Sequence, residues 1–380
     1  MIGRTLLVCL LCTTLGNAGQ NGKLQLFGAV SSMENALQAK PGNYDPLWKP
    51  IPDGSASGHQ FPTNWWVEGF ALNWNQQNNT VNGDSYWQKW ANAIAYCRAH
   101  HMYYPRVQLY YFLTPGGDKE SMQTWLQTIA RPNYLGGSVL PCYEIACNEP
   151  LEDHGHDSNG GTLEQEYGGP GRTYGVVVNG IGYDWLVNLL KDERAILGPN
   201  VKLGLNEFNV ESIHEKNWNQ VDNYISLINQ LRAAGVPLDW VGIEGYWVDR
   251  TCTVADVQAT VDMIAQQTGL PIIFTEFTPW SYRPNEHPTQ QACWQAYLTM
   301  FASDPNVIGV SGPWQGFRSS EDWGCVQQNC CQPNAFYYDA SSHTGCVGGN
   351  GTASPAMVDG PVLKWLQGWT PTGISPPVSP

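Results

Sequence analysis

Two glutamates in this sequence follow short apolar runs, and their positions could support acid–base and nucleophilic chemistry. Glu149 ends the run 145–149, IACNE, and Glu276 ends the run 272–276, IIFTE. A carboxylate behind an apolar run faces desolvation, which is costly unless the group is partnered or used. Either glutamate alone could be a strand-end residue paired with a local Arg. The two together predict a catalytic pair in which one carboxyl protonates a leaving oxygen and the other attacks, as in a retaining glycosidase.

Eight short β-rich runs, most of them separated by amphipathic helical stretches, would position these acids. The predicted strands are 24–30, 65–74, 103–112, 143–149, 201–208, 240–247, 271–277 and 307–315. The predicted helices are 33–40, 86–101, 119–130, 183–197, 217–234, 254–268, 289–301 and 362–369. A strand–helix unit repeated in this way predicts an α/β fold, a single-domain (β/α)8 TIM barrel with a closed parallel sheet.

Strands four and seven lie on opposing sides of such a ring, so side chains at their ends can converge over the barrel mouth. Asn148 could then donate its amide to a sugar hydroxyl beside the reacting carbon. Tyr246, at the end of strand six, could donate to Glu276 and keep it ionised. Trp314, at the end of strand eight, offers a flat wall under the sugar.

The amino-acid composition limits the classes of molecule that the chain is expected to bind. The chain has 380 residues, 42% hydrophobic and 14% charged, which is enough to bury a large core. A net charge of −14 argues against nucleic acid, an anionic membrane surface and a strongly acidic polymer. The 17 Trp and 18 Tyr suit stacking on sugar rings, although any single Trp can equally fill the core. We therefore predict a neutral polysaccharide or oligosaccharide partner, no cofactor, no metal and a monomer.

The ends of the chain and its cysteines predict a secreted, extracellular protein. Residues 1–18 have the Arg, the apolar run and the small residues of a signal peptide. The barrel domain then covers 19–369, and 370–380 is a Pro-rich tail. Nine cysteines remain after cleavage, which predicts several disulfides and one odd thiol, with a pairing that spacing cannot give. The runs 78–80 and 350–352 are glycosylation sequons.

Four motifs in the second half of the chain resemble glycoside hydrolase family 10, the xylanase family of clan A. They are VKLGLNEFN at 201–209, GVPLDWVGIEGY at 235–246, FTE at 274–276 and GPWQG at 312–316, with Asp-Trp at 322–323. The resemblance covers about 143–323. It implies Glu149 as acid/base, Glu276 as nucleophile, and Asn148 and Asn209 as polar support. It also implies Trp314 and Trp323 as sugar platforms.

The chain departs from that family at residues that hold the sugar. At the end of strand six, Glu244 and Tyr246 replace a Gln and a His, and Glu244 adds a third acid. On strand three, Arg106, Tyr111 and Tyr110 correspond to two His and a Trp. On strand two, Asn73 stands where the family has a Lys, and Glu68 does not align with the family's Glu. Arg106 either replaces a lost charge near the nucleophile or pairs with Glu68 or Glu244.

These departures leave the substrate open between β-1,4-xylan and a related β-glycan. The Gly-rich connection 151–182 should shape the leaving-group side of the cleft, and its Asp153, His154, His156 and Asp157 are either loop polarity or a metal set. The alternative function is a non-catalytic carbohydrate-binding or structural secreted protein on the same barrel. Retention of both Glu149 and Glu276 favours the endo-acting β-glycosidase.

Overall fold

The computed structural model describes the chain continuously over 142–151, 174–211, 220–245, 253–277 and 290–311. Elsewhere it describes the backbone of short strands and isolated residues. Residues 1–23 and 366–380 lie outside the described residues, so the signal peptide 1–18, the domain limits 19–369 and the tail 370–380 stay predictions.

Eight parallel strands close into a barrel, which confirms the predicted fold class. Each strand is hydrogen-bonded to its neighbours in the chain, and the first strand pairs with the last. We number them β1 Leu26–Ser31, β2 Trp65–Ala71, β3 Tyr103–Gln108, β4 Cys142–Asn148, β5 Val201–Glu207, β6 Trp240–Gly245, β7 Ile272–Phe277 and β8 Val307–Ser311.

Four helices with complete bounds connect and follow the second half of the barrel. They are α1 Asp184–Leu197, α2 Gln220–Ala233, α3 Val254–Thr268 and α4 Gln290–Ser303. The predicted helices 33–40, 86–101, 119–130 and 362–369 lie outside the described residues, apart from single positions in the last two. Among the described helices, none is long and apolar enough to span a bilayer.

Helix α3 shows how local sequence sets the helix ends. Thr253 accepts a hydrogen bond from the backbone N–H of Asp256, and the Asp256 side chain accepts one from the backbone of Thr253. This reciprocal capping satisfies two amides that the first turn leaves without partners. Gly269 ends the helix in the left-handed conformation, at φ +68°, which costs glycine little.

Within the part of the chain that the structure describes, four pairs of short strands lie outside the barrel. The clearest is the antiparallel pair Val177–Val178 and Ile181–Gly182. Asn179 and Gly180 join them at φ +51° and +82°, as a two-residue hairpin turn requires. The others are Trp48–Pro50 with Phe61–Thr63, Thr80–Val81 with Asp84–Ser85, and Tyr337–Asp339 with Met357–Asp359.

The amino end of the barrel wall is pinned by Arg194, near the end of α1. Its guanidinium donates to the backbone oxygens of Val201 at 2.6 Å and Pro237 at 2.9 Å, and it forms an ion pair with Asp239. The planar fork of donors lets one side chain join the segments that lead into β5 and β6. This ties α1 to both strands at the end of the barrel opposite the two glutamates.

Gly204 allows the close approach of β5 and β6. It pairs with Trp240, whose indole is buried, and a Cβ at Gly204 would overlap that ring. Because the ring cannot withdraw from a close-packed interior, we expect Gly204→Ala to lower the free energy of unfolding by about 3 kcal/mol. A urea titration followed by tryptophan fluorescence measures the change.

The matched control for that change is Gly182→Ala. A Cβ there meets no atom within 4 Å, so its free energy of unfolding should stay within about 0.5 kcal/mol of the wild-type value. Equal urea midpoints for the two variants would contradict the packing argument.

Candidate active site

Strand β4, which leads into Glu149, and strand β7, which carries Glu276, each have one extra residue near the carboxyl end. Between β4 and β5 the pairing moves from Ile145–Gly204 to Cys147–Leu205 and so skips one residue of β4. Between β7 and β6 it moves from Phe274–Ile243 to Glu276–Glu244 and skips Thr275. Such bulges change the direction of the side chains that follow them. Here they place Asn148 beside Asn206 and Glu276 beside Glu244.

Asn206, near the end of β5, connects the carboxyl ends of β4, β6 and β7 through hydrogen bonds. Its Nδ2 donates to Asn148 Oδ1 and to Glu244 Oε1, each at 2.6 Å. Its Oδ1 accepts a hydrogen bond from Thr275 Oγ1. Because both amide hydrogens and the amide oxygen have partners, the orientation of this side chain is determined. We call Asn148, Asn206, Glu244 and Thr275 the Asn206 network.

The Asn206 network crosses the interior of the barrel. Asn206 lies on β5, yet it bonds Thr275 on β7, two strands away, which a side chain on the outer wall could not do. Gly242, on the intervening β6, leaves room for it, since a Cβ there would lie 2.8 Å from Asn206 Oδ1. Asn206, Asn148 and Glu244 are all buried, so their hydrogen bonds offset the cost of removing polar groups from water.

Glu149 stands just beyond the end of β4 rather than within it, which corrects the predicted strand end at 149. The strand ends at Asn148, and Glu149 has φ +49°, an uncommon value for a residue with a side chain. Its backbone N–H donates to Asn206 O at 2.7 Å. Conformations of this kind persist where the surroundings impose them and concentrate at functional sites.

Glu207 fixes the turn from its other side. This residue at the end of β5 is fully buried, and its carboxylate accepts from the backbone N–H groups of Leu151 at 2.9 Å and Phe208 at 3.1 Å. Two neighbouring residues of β5 therefore hold the segment on both sides of Pro150. The result is a half-buried Glu149 at the barrel mouth, next to the buried Asn148.

Glu276 is buried at the end of β7, where adjacent hydrogen bonds hold the backbone. The Thr275 hydroxyl donates to Asn206 and lies 3.2 Å from Ile243 O, and the Thr275 carbonyl accepts from Ser311 Oγ. These bonds link β6, β7 and β8 at one level. Glu276 is 4% exposed, so a small change in its surroundings has a large electrostatic effect.

Glu244 is the third carboxyl predicted from the sequence, and it lies close to both glutamates. It is buried, opposite Glu276 in the strand register, and its side chain shares a hydrogen bond with Glu149. Burial raises the pKa of Glu244 well above its usual range, and the negative charges of Glu276 and Glu149 raise it further. The residue is therefore the electrostatic link between the two predicted catalytic acids.

Asn209 is a predicted support residue that the structure also describes. It is buried, with φ +57°, a conformation that asparagine tolerates better than most residues. Arg106 lies in β3, and its side chain is not among those described. The remaining predicted site residues, Tyr246, Trp314, Trp323, Asn73 and Tyr110, lie outside the described residues, as do Asp153, His154, His156 and Asp157.

Two site residues were missed by sequence reasoning. Asn206 and Glu207 lie inside the motif VKLGLNEFN, and the sequence pattern assigns a role to neither of them. Polar residues at the end of an otherwise apolar strand, VKLGLNE, were the signal that could have identified them. Within the described ranges, no group of three His, Cys, Asp or Glu is arranged to hold a metal ion.

Cys147, directly before Asn148, is a buried thiol without a disulfide. Burial raises the pKa of the Cys147 thiol well above its usual range, and the carboxylates of Glu193 and Glu207 raise it further. A thiol in such surroundings is inert and acts as a small apolar side chain. The Cys147 side chain therefore packs in the hydrophobic core, on the same strand as Asn148.

Comparison with known proteins gives a family match over more than half of the chain. The sequence pattern of Glycosyl hydrolase family 10 matches residues 119–343. Endo-1,4-beta-xylanase 2 of Arabidopsis thaliana is 30% identical over 131 residues, which are 33% of this chain. This chain spans only 11% of the length of that protein.

Solved structures support the same fold. An endoxylanase of this family retrieved from a sugarcane soil metagenome superposes with a TM-score of 0.51 at 15% identity, over 75% of this chain and 83% of its own. A family 10 structure from Paenibacillus barcinonensis gives 0.51 at 16% identity, over 77% and 86%. At these identities the likeness concerns the barrel, and the chemistry has to be argued from the residues.

Proposed function

This chain belongs to glycosyl hydrolase family 10, and on that premise we propose that it is a secreted, retaining endo-β-glycosidase acting on a neutral polysaccharide. β-1,4-Xylan is the first candidate substrate, and a related β-glycan is the second. The observation that carries the proposal is the position of Glu244, which is bonded to Glu149 and opposite Glu276. Two acids that share one neighbour can act on one glycosidic bond.

The proposed reaction has two steps. Glu149 protonates the oxygen of the leaving sugar while Glu276 attacks the anomeric carbon and forms a glycosyl ester. Glu149, now a carboxylate, then takes a proton from water, whose oxygen displaces Glu276. The half-buried position of Glu149 suits a group that must meet a leaving sugar and then a water molecule. The buried position of Glu276 suits a nucleophile with little water to displace.

Asn148 is proposed to donate to a sugar hydroxyl next to the reacting carbon. Its Oδ1 accepts from Asn206, so its Nδ2 is the end of the amide that can donate to substrate. Such a hydrogen bond strengthens as positive charge develops on the sugar, so it favours the transition state over the ground state.

Product stereochemistry tests the proposal. The protein is mixed with a panel of neutral polysaccharides, and the anomers of the new reducing ends are followed by proton NMR from the first minutes. We expect hydrolysis of a β-1,4-linked polymer, with β-anomer formed first and α-anomer appearing later by mutarotation, because two displacements restore the starting configuration.

Protein carrying Glu276→Ala, purified in the same way, is the control for contaminating glycosidases. Initial release of α-anomer would refute the retaining mechanism. Binding to a polysaccharide without cleavage of any would instead support the non-catalytic carbohydrate-binding alternative.

A further inference from the structure

Glu244 has no role in the two steps above, although it contacts the machinery that performs them. Its side chain is 3% exposed, accepts a hydrogen bond from Asn206 Nδ2 at 2.6 Å, and shares one with Glu149. A buried acid placed between two catalytic acids would oppose the ionisation of both unless its own state were controlled.

The hydrogen bonds around Glu244 run in one direction. Thr275 donates to Asn206, and Asn206 spends its two amide hydrogens on Asn148 and Glu244. Asn206 is therefore the donor in its hydrogen bond with Glu244, and a Glu244 carboxyl oxygen is the acceptor. Two carboxyl groups form a hydrogen bond with each other only when one of them carries a proton. The contact between Glu244 and Glu149 thus requires a proton held between them.

Two observations place that proton on Glu244 in the resting site, and the direction of its pKa agrees with them. Glu244 is buried, whereas Glu149 is half-buried. The acids that face Glu244 come from three other elements: Glu149 after β4, Glu207 at the end of β5, and Glu276 on β7. Burial is the largest cause that raises the pKa of Glu244, and these charges and the bond to Glu149 add to it.

We propose that Glu244 is a positioning residue for the acid/base: as a neutral carboxylic acid it donates to Glu149 and holds the catalytic proton in common with it. This inference rests on the proposed retaining hydrolysis. It adds the source of the proton that Glu149 delivers.

Each proton transfer accompanies the breaking of one bond and the formation of another. In the first step Glu244 passes its proton to Glu149 as Glu149 protonates the leaving oxygen, which takes the electrons of the broken glycosidic bond. Glu276 meanwhile becomes an ester and loses its charge, so the three carboxyls keep the same net charge. In the second step water gives its hydroxyl to the sugar, its proton returns through Glu149 to Glu244, and Glu276 leaves as a carboxylate.

Two substitutions separate this role from packing. Glu244→Leu removes the donor at similar volume, and we expect kcat to fall by about 10- to 100-fold with little change in KM. Glu244→Gln supplies an amide N–H to Glu149 but no transferable proton, so its kcat should lie between that of Glu244→Leu and that of the wild type. Asp222→Asn, an exposed acid in the first turn of α2, is the matched control for loss of a carboxyl.

The pH profile carries the sharper test. In the wild type, a proton shared by two carboxyls is retained to higher pH, because its loss would leave two adjacent charges. In Glu244→Gln the neighbour is an uncharged amide that shares no proton, so this retention is lost. The alkaline limb of kcat/KM should therefore move to lower pH, by about one unit. An alkaline limb that coincides with that of the wild type would overturn the shared proton.

An infrared measurement tests the protonation without using activity. The difference spectrum of wild type minus Glu244→Gln, at a pH where exposed carboxyls are ionised, should contain the carbonyl band of one neutral carboxylic acid. A carboxylate band in its place overturns the inference. If the wild type hydrolyses no polysaccharide, the proposed function fails, and the infrared band still decides the state of Glu244. If the wild type hydrolyses and both readouts are negative, only the inference about Glu244 fails.

Discussion

We expect Glu276→Ala to lower kcat on the preferred polysaccharide by at least about 10⁴-fold, because the first displacement then has no nucleophile. The side chain is buried at the end of β7, and water does not take the place of a positioned carboxylate in forming a covalent intermediate. Substrate binding should change much less than kcat. Initial rates from reducing-sugar release and a binding isotherm measure the two quantities separately.

A small anion should recover part of the activity of Glu276→Ala. Azide can occupy the volume left by the carboxylate and attack the anomeric carbon directly. A single displacement inverts the configuration, so the product should be an α-glycosyl azide, where the wild type gives a β-anomer. NMR of the azide product would show at the same time that the lost group was the nucleophile and that it acted from the face opposite the leaving sugar.

The control for the Glu276 experiment is Asp222→Asn, which removes an exposed carboxyl from α2 and should leave the rate unchanged. Near-ultraviolet circular dichroism of Glu276→Ala should match the wild type. A purified Glu276→Ala protein with an unaltered rate would end the assignment of Glu276, and with it the proposed mechanism.

The barrel could be predicted from the sequence because each strand has a recognisable local sequence pattern. Strand β7, IIFTEF, is buried throughout and is apolar except for Thr275 and Glu276, as a strand covered on both faces should be. The limits of α3 match the predicted 254–268, since Thr253 and Gly269 are capping residues at fixed positions. Order and type of element follow from such patterns, and the closed ring follows from their repetition.

The hairpin at 177–182 was missed although its signal was present. Asn179-Gly180 is a strong turn dipeptide, and apolar residues flank it. The sequence predicts one long Gly-rich connection here, because strands of two residues are shorter than any periodic pattern can reveal.

The geometry at the carboxyl ends of the strands could not be predicted from the sequence. A bulge is a difference in register between two strands, so the extra residue on β4 and the one on β7 have no local signature. The turn at Glu149 depends on Asn206 O and on Glu207, which lie more than fifty residues further along the chain. The two acids could be identified from the sequence, whereas long-range hydrogen bonds determine their positions at the barrel mouth.

Glu149→Ala is expected to have an effect that depends on the leaving group. On the polysaccharide, kcat should fall by about 10²- to 10⁴-fold, because the leaving sugar needs a proton. On an aryl glycoside whose phenolate leaves without a proton, the first displacement should stay near the wild-type rate. The second step still lacks its base, so the glycosyl ester accumulates, with a burst of phenolate followed by a slow steady state.

The burst separates an acid/base from a residue that only maintains structure. Stopped-flow absorbance gives its amplitude, and mass spectrometry of the quenched protein should find one sugar attached to Glu276. Azide should accelerate the steady state by attacking the ester without help from a base, giving a β-glycosyl azide. Equal losses on the polysaccharide and the aryl glycoside, without a burst, would mean that Glu149 maintains the turn after β4 and does not transfer the proton. In that case the hydrogen bond from Glu244 would have no catalytic partner at this position.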